Sequence, residues 1–257
     1  MRTQKARLAL LLSLVAVTAW AGGLAEAPSL SIAQRAIAQP VSGASVAFAR
    51  YTAGLGHTAR SADRRTVSVE IEASLPGLAK QGCLQAIRRG GASDRPEYQV
   101  LHIEGDSIVK QEVIARYLTA ETQAEVIPKA SVAVSPANYK FHYIGSIASA
   151  GTLVYVYQIK PRKRRAGLME GQLWIDAGTG LAVHQGGHLV KNPSIFVRRV
   201  ELVRDTRLRD GVPYLQTTRL AIDTRLVGRA EVTIRERPYP DSEQVVAALN
   251  SSSGVRP

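Results

Sequence analysis

From Thr66 onward the chain alternates with period two. Val67, Val69, Ile71, Ala73 and Leu75 are apolar, and Ser68, Glu70, Glu72 and Ser74 separate them. Successive side chains of a strand point to opposite faces, so this spacing demands a sheet with one buried and one wet face. The run stops at Pro76-Gly77. A second strand-like run covers 82–89, a Gly/Pro break covers 90–96, and Tyr98, Val100, His102 and Glu104 then alternate with Gln99, Leu101 and Ile103. Beyond Glu104-Gly105-Asp106 the period changes. Ile108, Glu112 and Ala115 mark one side and Val109, Val113, Arg116 and Tyr117 the next, which predicts a helix of about three turns over 107–118 with Asp106 or Ser107 as its N-cap.

The second half is almost entirely strand-like. Runs at 139–144, 153–160, 171–176, 181–191, 195–204, 215–226 and 227–237 are separated by turn signals at Asp176 to Gly180, at Gly186-Gly187 and at Asp210-Gly211 with Pro213 after it. Spacing of this kind suits a meandering antiparallel sheet or barrel. In the last run Val232 and Ile234 face away from Arg229, Glu231, Thr233 and Arg235, and Pro238 and Pro240 end it. Strands, an inserted helix, then more strands give an α+β, mainly β, fold.

Ahead of the first strand the composition differs. Arg2, Lys5 and Arg7 precede an uncharged apolar run over 8–17, and small residues flank a cut after Ala21. These features describe a secretory signal peptide over 1–21, with an uncleaved anchor as the alternative and a later cut at Ala36-Ile37-Ala38 as another. Residues 22–65 form a lead-in that is either poorly ordered or carries short helices at 30–38 and 44–55. Residues 66–240 make up the main domain, and 241–257 form a tail with a short helix at 241–249. The formal charge of +12 falls by three when the leader is removed, and it still favours anionic surfaces such as lipid headgroups or polysaccharide. Export makes nucleic acid the least suited partner. Cys83 is the only cysteine, so no internal disulfide forms and stability must come from burial.

Several strings then carry a resemblance. They are Tyr155-Val156-Tyr157-Gln158-Ile159-Lys160-Pro161, Gly171-Gln172-Leu173-Trp174-Ile175-Asp176 with Thr179-Gly180, and Asp223-Thr224-Arg225 with Val227-Gly228-Arg229-Ala230. Together with the order of elements they resemble the LolA-like outer-membrane lipoprotein-sorting superfamily, in its uncharacterised bacterial branch. The resemblance covers roughly 66–239 and is strongest from Tyr139. It implies an incomplete antiparallel β-barrel, a half-barrel wrapped round inserted helices, whose apolar hollow accepts acyl chains. It implies a non-enzymatic binder or carrier of lipid or acylated, lipoprotein-like ligands in the periplasm or envelope. An envelope sensor or protein-interaction module is the alternative.

Candidate sites follow. Val67, Val69, Ile71, Leu220 and Ile222, with Tyr155, Tyr157 and Trp174, are expected to line the hollow, or else to form an ordinary core; Phe196 lies close by in sequence. Arg162, Lys163, Arg164 and Arg165 form the densest charge in the chain and are expected to contact an anionic membrane surface or an envelope protein, or else to be a solvated loop. His184 and His188 have metal-pair spacing only on a helix; on a strand they stand ~13 Å apart, too far for one ion. Cys83 is expected to be a buried, inert thiol. With no G-x-S-x-G string present, no catalytic residue, metal or cofactor is expected.

Overall fold

Ten antiparallel strands make one sheet. The computed structural model describes residues 41–239 except 64, 91–95, 125–127, 150, 194, 196 and 226–227. The proposed leader, the 30–38 segment, Phe196 and the tail lie outside the described residues. The strands are β1 (Val67–Leu75), β2 (Lys80–Gly90), β3 (Pro96–Gly105), β4 (Tyr139–Ser149), β5 (Thr152–Pro161), β6 (Met169–Asp176), β7 (Ala182–Leu189), β8 (Val197–Arg209), β9 (Val212–Thr224) and β10 (Arg229–Pro238). Their order across the sheet is β3-β2-β1-β10-β9-β8-β7-β6-β5-β4. Two meanders thus meet where β1 pairs with β10, and the edges β3 and β4 are not joined. The sheet is an open half-barrel.

Register separates the two faces. Ile71 lies opposite Leu84 on one side and Ile234 on the other, Val232 opposite Leu220, and Leu220 opposite Leu202. Toward the other edge Leu173 lies opposite Tyr157, and Ile175 opposite Tyr155. All of these are buried in one core cluster. Fully burying an aliphatic side chain of this size stabilises by roughly 1.5–3 kcal/mol, so this face supplies most of the driving force. The opposite face carries ion pairs: Arg235 with Glu70 and Glu72, Arg229 with Asp223 and Glu231, and Arg199 with Glu201.

The sheet is pinched at one place. Gly171 of β6 pairs with Gly187 of β7. A Cβ on Gly171 would stand within 2.6 Å of the Gly187 Cα and inside the contact shell of the Gly186 carbonyl, and a Cβ on Gly187 would meet the Glu170 carbonyl carbon at 2.9 Å. Gly186-Gly187, expected as a turn, is therefore the interior of a strand. Glycine stands there because a neighbouring backbone comes close, which is one of the few reasons a strand tolerates it. The Asp210-Gly211 signal, by contrast, is the β8–β9 hairpin turn, with φ of 52° and 78° at its two residues, as a two-residue hairpin loop of the type I′ form requires.

Helices cover the apolar face. The helix α1 (Val41–Asp63) contacts β6 and puts Ala44, Ala47 and Tyr51 into the core, Ala47 with no exposed surface. Of the two expectations for this segment, a helix at 44–55 is the one found: α1 contains it and covers the apolar face of β5 and β6. A second helical stretch runs over α2 (Ser107–Val109), a π-helical turn Lys110–Ile114 and α3 (Ala115–Ala124), and lies against β1 and β2. The π turn brings Val113 and Ile114 both inward beside Val109. Asp106 is its N-cap: its carboxylate accepts from the Ile108 N–H at 2.8 Å and pairs with Lys80. The Lys80 hydrogen bond and then the Ile108 amide hold the Asp106 carboxyl below its usual range. A short helix α4 (Lys129–Val132) follows. Among the described residues no helix is long and apolar enough to cross a membrane.

Candidate functional site

The turn between β6 and β7 seats helix α1. Asp176 Oδ1 accepts from the Thr179 N–H and from the Thr179 hydroxyl, each at 2.7 Å, and the Gly180 N–H donates to the Asp176 carbonyl at 2.9 Å. The aspartate is buried. Gly180, at φ +75°, lies directly under α1: a Cβ there would be 3.2 Å from the Tyr51 nitrogen and 3.3 Å from the Ala47 carbonyl oxygen. Arg50 closes the contact by donating to the Gly178 carbonyl at 2.9 Å. Asp, Thr and Gly are thus spaced as they are because a helix rests on them.

Two tyrosines latch the same helix from either side. Tyr157 of β5 donates to the Ala44 carbonyl at 2.8 Å, and Tyr51 of α1 donates to the Val134 carbonyl at 2.6 Å. Burial pushes the Tyr157 phenol up to about 12, with Tyr143 and Tyr155 adding to the effect, and pushes Tyr51 up further still. Around them Phe48 packs edge-on to Phe141 at 4.9 Å and against Tyr157 at 5.3 Å, and Tyr143 lies 5.5 Å from Tyr157. Sequence reasoning missed Phe48, Phe141 and Tyr143. Their signal was available, since Phe141 and Tyr143 share parity with Tyr139 on one strand.

The residues expected to line the hollow divide in two. Val67, Val69, Ile71, Tyr155, Tyr157, Leu220 and Ile222 all lie on the covered face and are buried in the core cluster, with Ile71 wholly inaccessible. Trp174 does not join them. It lies opposite Val156 and His184, on the other face, and stacks on the His184 ring at 4.4 Å. Leu173 and Ile175 hold the inward positions, so Trp174 points outward by the alternation of the strand.

The basic loop is also differently used than its charge suggests. Arg162 donates to the Pro136 carbonyl, Arg164 to the Val190 carbonyl, and Arg165 to the Ser131 carbonyl and Asn138 Oδ1. Three of the four cations therefore tie neighbouring loops together through backbone oxygens. Lys163 is exposed. Asn138 completes the brace, its side-chain amide donating to the carbonyls of Ala130 at 2.7 Å and Ala133 at 2.9 Å.

On the outer face His184 Nδ1 lies 2.6 Å from Asp205 Oδ1, and Arg219 binds the other carboxylate oxygen. His188 stands opposite Glu170 and Glu201, four residues further along the strand. Among the described residues no three His, Cys, Asp or Glu side chains gather as a metal site would need. Cys83 is half-buried, not buried. Its thiol is nonetheless pushed up, by burial first and then by the Glu104 carboxylate at 3.5 Å, with Glu70 and Glu72 on the same face. Its reactivity is suppressed by its acidic neighbours as well as by packing.

No family model and no curated protein matches the chain. Three solved structures are similar to it in outline. A LolA superfamily protein from Nitrosomonas europaea is 11% identical, with 71% of this chain and 90% of that chain covered and a TM-score of 0.31. An outer membrane lipoprotein-sorting protein domain from Vibrio parahaemolyticus is 10% identical, with 75% and 95% covered and a TM-score of 0.29. MucB in complex with MucA(peri) is 13% identical, with 77% and 96% covered and a TM-score of 0.23. The half-barrel architecture stands on this chain's own strand order and register.

Proposed function

We propose that this protein is an exported, non-enzymatic binder or carrier of lipid or acylated ligands in the cell envelope. One observation carries the reading: the apolar face of an open half-barrel is covered by a helix held through separable polar latches. Withdrawing α1 from the Tyr157 and Arg50 contacts uncovers an aliphatic and aromatic surface without unpairing a strand. An acyl chain taken from water onto such a surface is favoured by ~0.8 kcal/mol per buried CH₂. The basic n-region and apolar run of the first residues support export.

The test is native mass spectrometry of protein purified from its own envelope, together with binding of a fluorescent fatty-acid probe. Copurified lipid, and tighter probe binding by Tyr157→Phe, are the expected results. Absence of bound lipid, with no probe binding by wild type or by Tyr157→Phe, overturns the proposal.

A second reading has its own observation. On the edge strand β3, Val100, Leu101 and Ile103 are 49%, 57% and 44% exposed. An edge that pairs with no second strand among the described residues, and that carries apolar side chains, suits addition of an extended segment from a protein partner. Leu101→Lys weakens partner capture and leaves probe binding intact if this reading holds.

A further inference from the structure

Where β7 passes to β8 the outer face opens into a groove of about 540 Å³, lined among others by Arg164, His188, Lys191, Asn192, Arg198 and Arg199. We propose that this groove is a binding site for a phosphate-bearing anion. It is separate from the covered apolar face and does not depend on the acyl-binding reading.

The wall is built and not merely charged. The Arg164 guanidinium is fixed by its hydrogen bond to the Val190 carbonyl at 2.7 Å, and the Val190 N–H in turn donates to Leu168. A guanidinium carries five N–H donors, so that bond leaves most of them for a ligand. On the facing wall the Asn192 side chain donates to the Arg198 carbonyl at 2.8 Å and holds the connection closed on itself. Arg199 is anchored by Glu201 at 2.8 Å. Among the described residues Lys191 and Arg198 have no carboxylate within ion-pair reach, although acidic side chains neutralise the cations elsewhere on the same face.

Charge and shape select the ligand class. Four cations line the groove, two of them held by the bonds above, against Glu201, which pairs with Arg199, and Glu170, which stands opposite His188 and pairs with Lys160, so the groove keeps a net positive charge that its concavity focuses. Arginine forks match the oxygens of a phosphate bidentately, and lysine adds a point charge. Of the residues lining the groove, Leu189 and Val190 are the apolar ones and both are buried, so the side chains that reach into it from the surface are polar or charged. A phosphate group fits, whether free or as the headgroup of an anionic lipid.

The experiment uses the full chain and three probes at matched ionic strength: inorganic phosphate, phosphatidylglycerol vesicles and phosphatidylcholine vesicles. Binding is read by NMR shifts of labelled His188 and by vesicle cosedimentation. The variant is Lys191→Ala with Arg198→Ala, two exposed residues, and the control is Lys163→Ala on the adjoining loop. Phosphate binding lost roughly tenfold or more in the double variant and retained in the control is expected. Free phosphate as the ligand predicts shifts without cosedimentation. A headgroup as the ligand predicts cosedimentation with phosphatidylglycerol alone, lost in the same variant. Binding that survives the double variant, falls equally in the control, or occurs with neither phosphate nor phosphatidylglycerol overturns the site. A thermal melt of the variant matching wild type excludes misfolding as the cause.

Discussion

Adding one methyl group at Gly171 should cost more stability than most core truncations. A Cβ there meets the Gly187 Cα at 2.6 Å and the Gly186 carbonyl carbon at 2.9 Å, both backbone atoms. Carbon atoms in contact sit about 3.5–4.0 Å apart, so β6 and β7 must separate by about 1 Å. That movement weakens the ladder between them at Gly171–Gly187 and Gln172–Gly186. Two ladder hydrogen bonds at about 1 kcal/mol each, with overpacking strain of about 1–3 kcal/mol, give a loss of about 3–5 kcal/mol for Gly171→Ala. For a domain of about 150–250 residues each kcal/mol lowers Tm by roughly 2–4 °C, so a fall of about 10 °C is expected. Gly187→Ala, which meets the Glu170 backbone, should behave alike. Gly145→Ala is the control, since nothing lies within 4 Å of its added methyl, and it should stay within about 0.5 kcal/mol of wild type. Thermal and urea unfolding followed by circular dichroism measure all three. If Gly171→Ala unfolds with Gly145→Ala, the glycine pair does not pinch the sheet.

Other outcomes follow from single contacts. Asn138→Ala strips the brace of two donated hydrogen bonds and the Arg165 contact, and urea unfolding should show a loss of about 2–3 kcal/mol; a loss under 0.5 kcal/mol would show that the loop needs no brace. Tyr51, Tyr139 and Tyr157 all have phenols raised by burial, so the folded state holds protons that the unfolded state releases. Their contribution is complete below pH of about 10, and that of Tyr157 is lost as pH rises through about 12; Tyr157→Phe should flatten that alkaline decline, and an unchanged pH profile would argue against it. Cys83 should react with a disulfide reagent more slowly than a free thiol at pH 8, and Glu104→Gln should speed it; equal rates in the two proteins would remove Glu104 from the explanation.

The sheet was legible from the sequence because strands have a strict period. The alternation of Val67 to Leu75 identifies the buried face of β1 residue by residue, and the Asp210-Gly211 hairpin is readable because only certain residues take positive φ cheaply. The same rule applied to β6 would have turned Trp174 outward, since it shares parity with Gln172 and Asp176; attraction to its size overrode the pattern. The seating of the N-terminal helix had no local signal. Helix α1 belongs to the core through Gly180 and Tyr157, far along the chain, and nothing in its own alanine-rich stretch announces them. The basic loop is the opposite case, in which a strong local signal does not fix the use. Its charge is plain, but whether arginines face solvent or bind carbonyls depends on where α4 and the β7–β8 connection lie. Those placements leave Arg164 with one hydrogen bond made to Val190 and most of its donors over, beside the unpaired Lys191 and Arg198. The cations of the groove thus come from both sides of it, Arg164 from the basic string and Lys191, Arg198 and Arg199 from the β7–β8 connection and the start of β8.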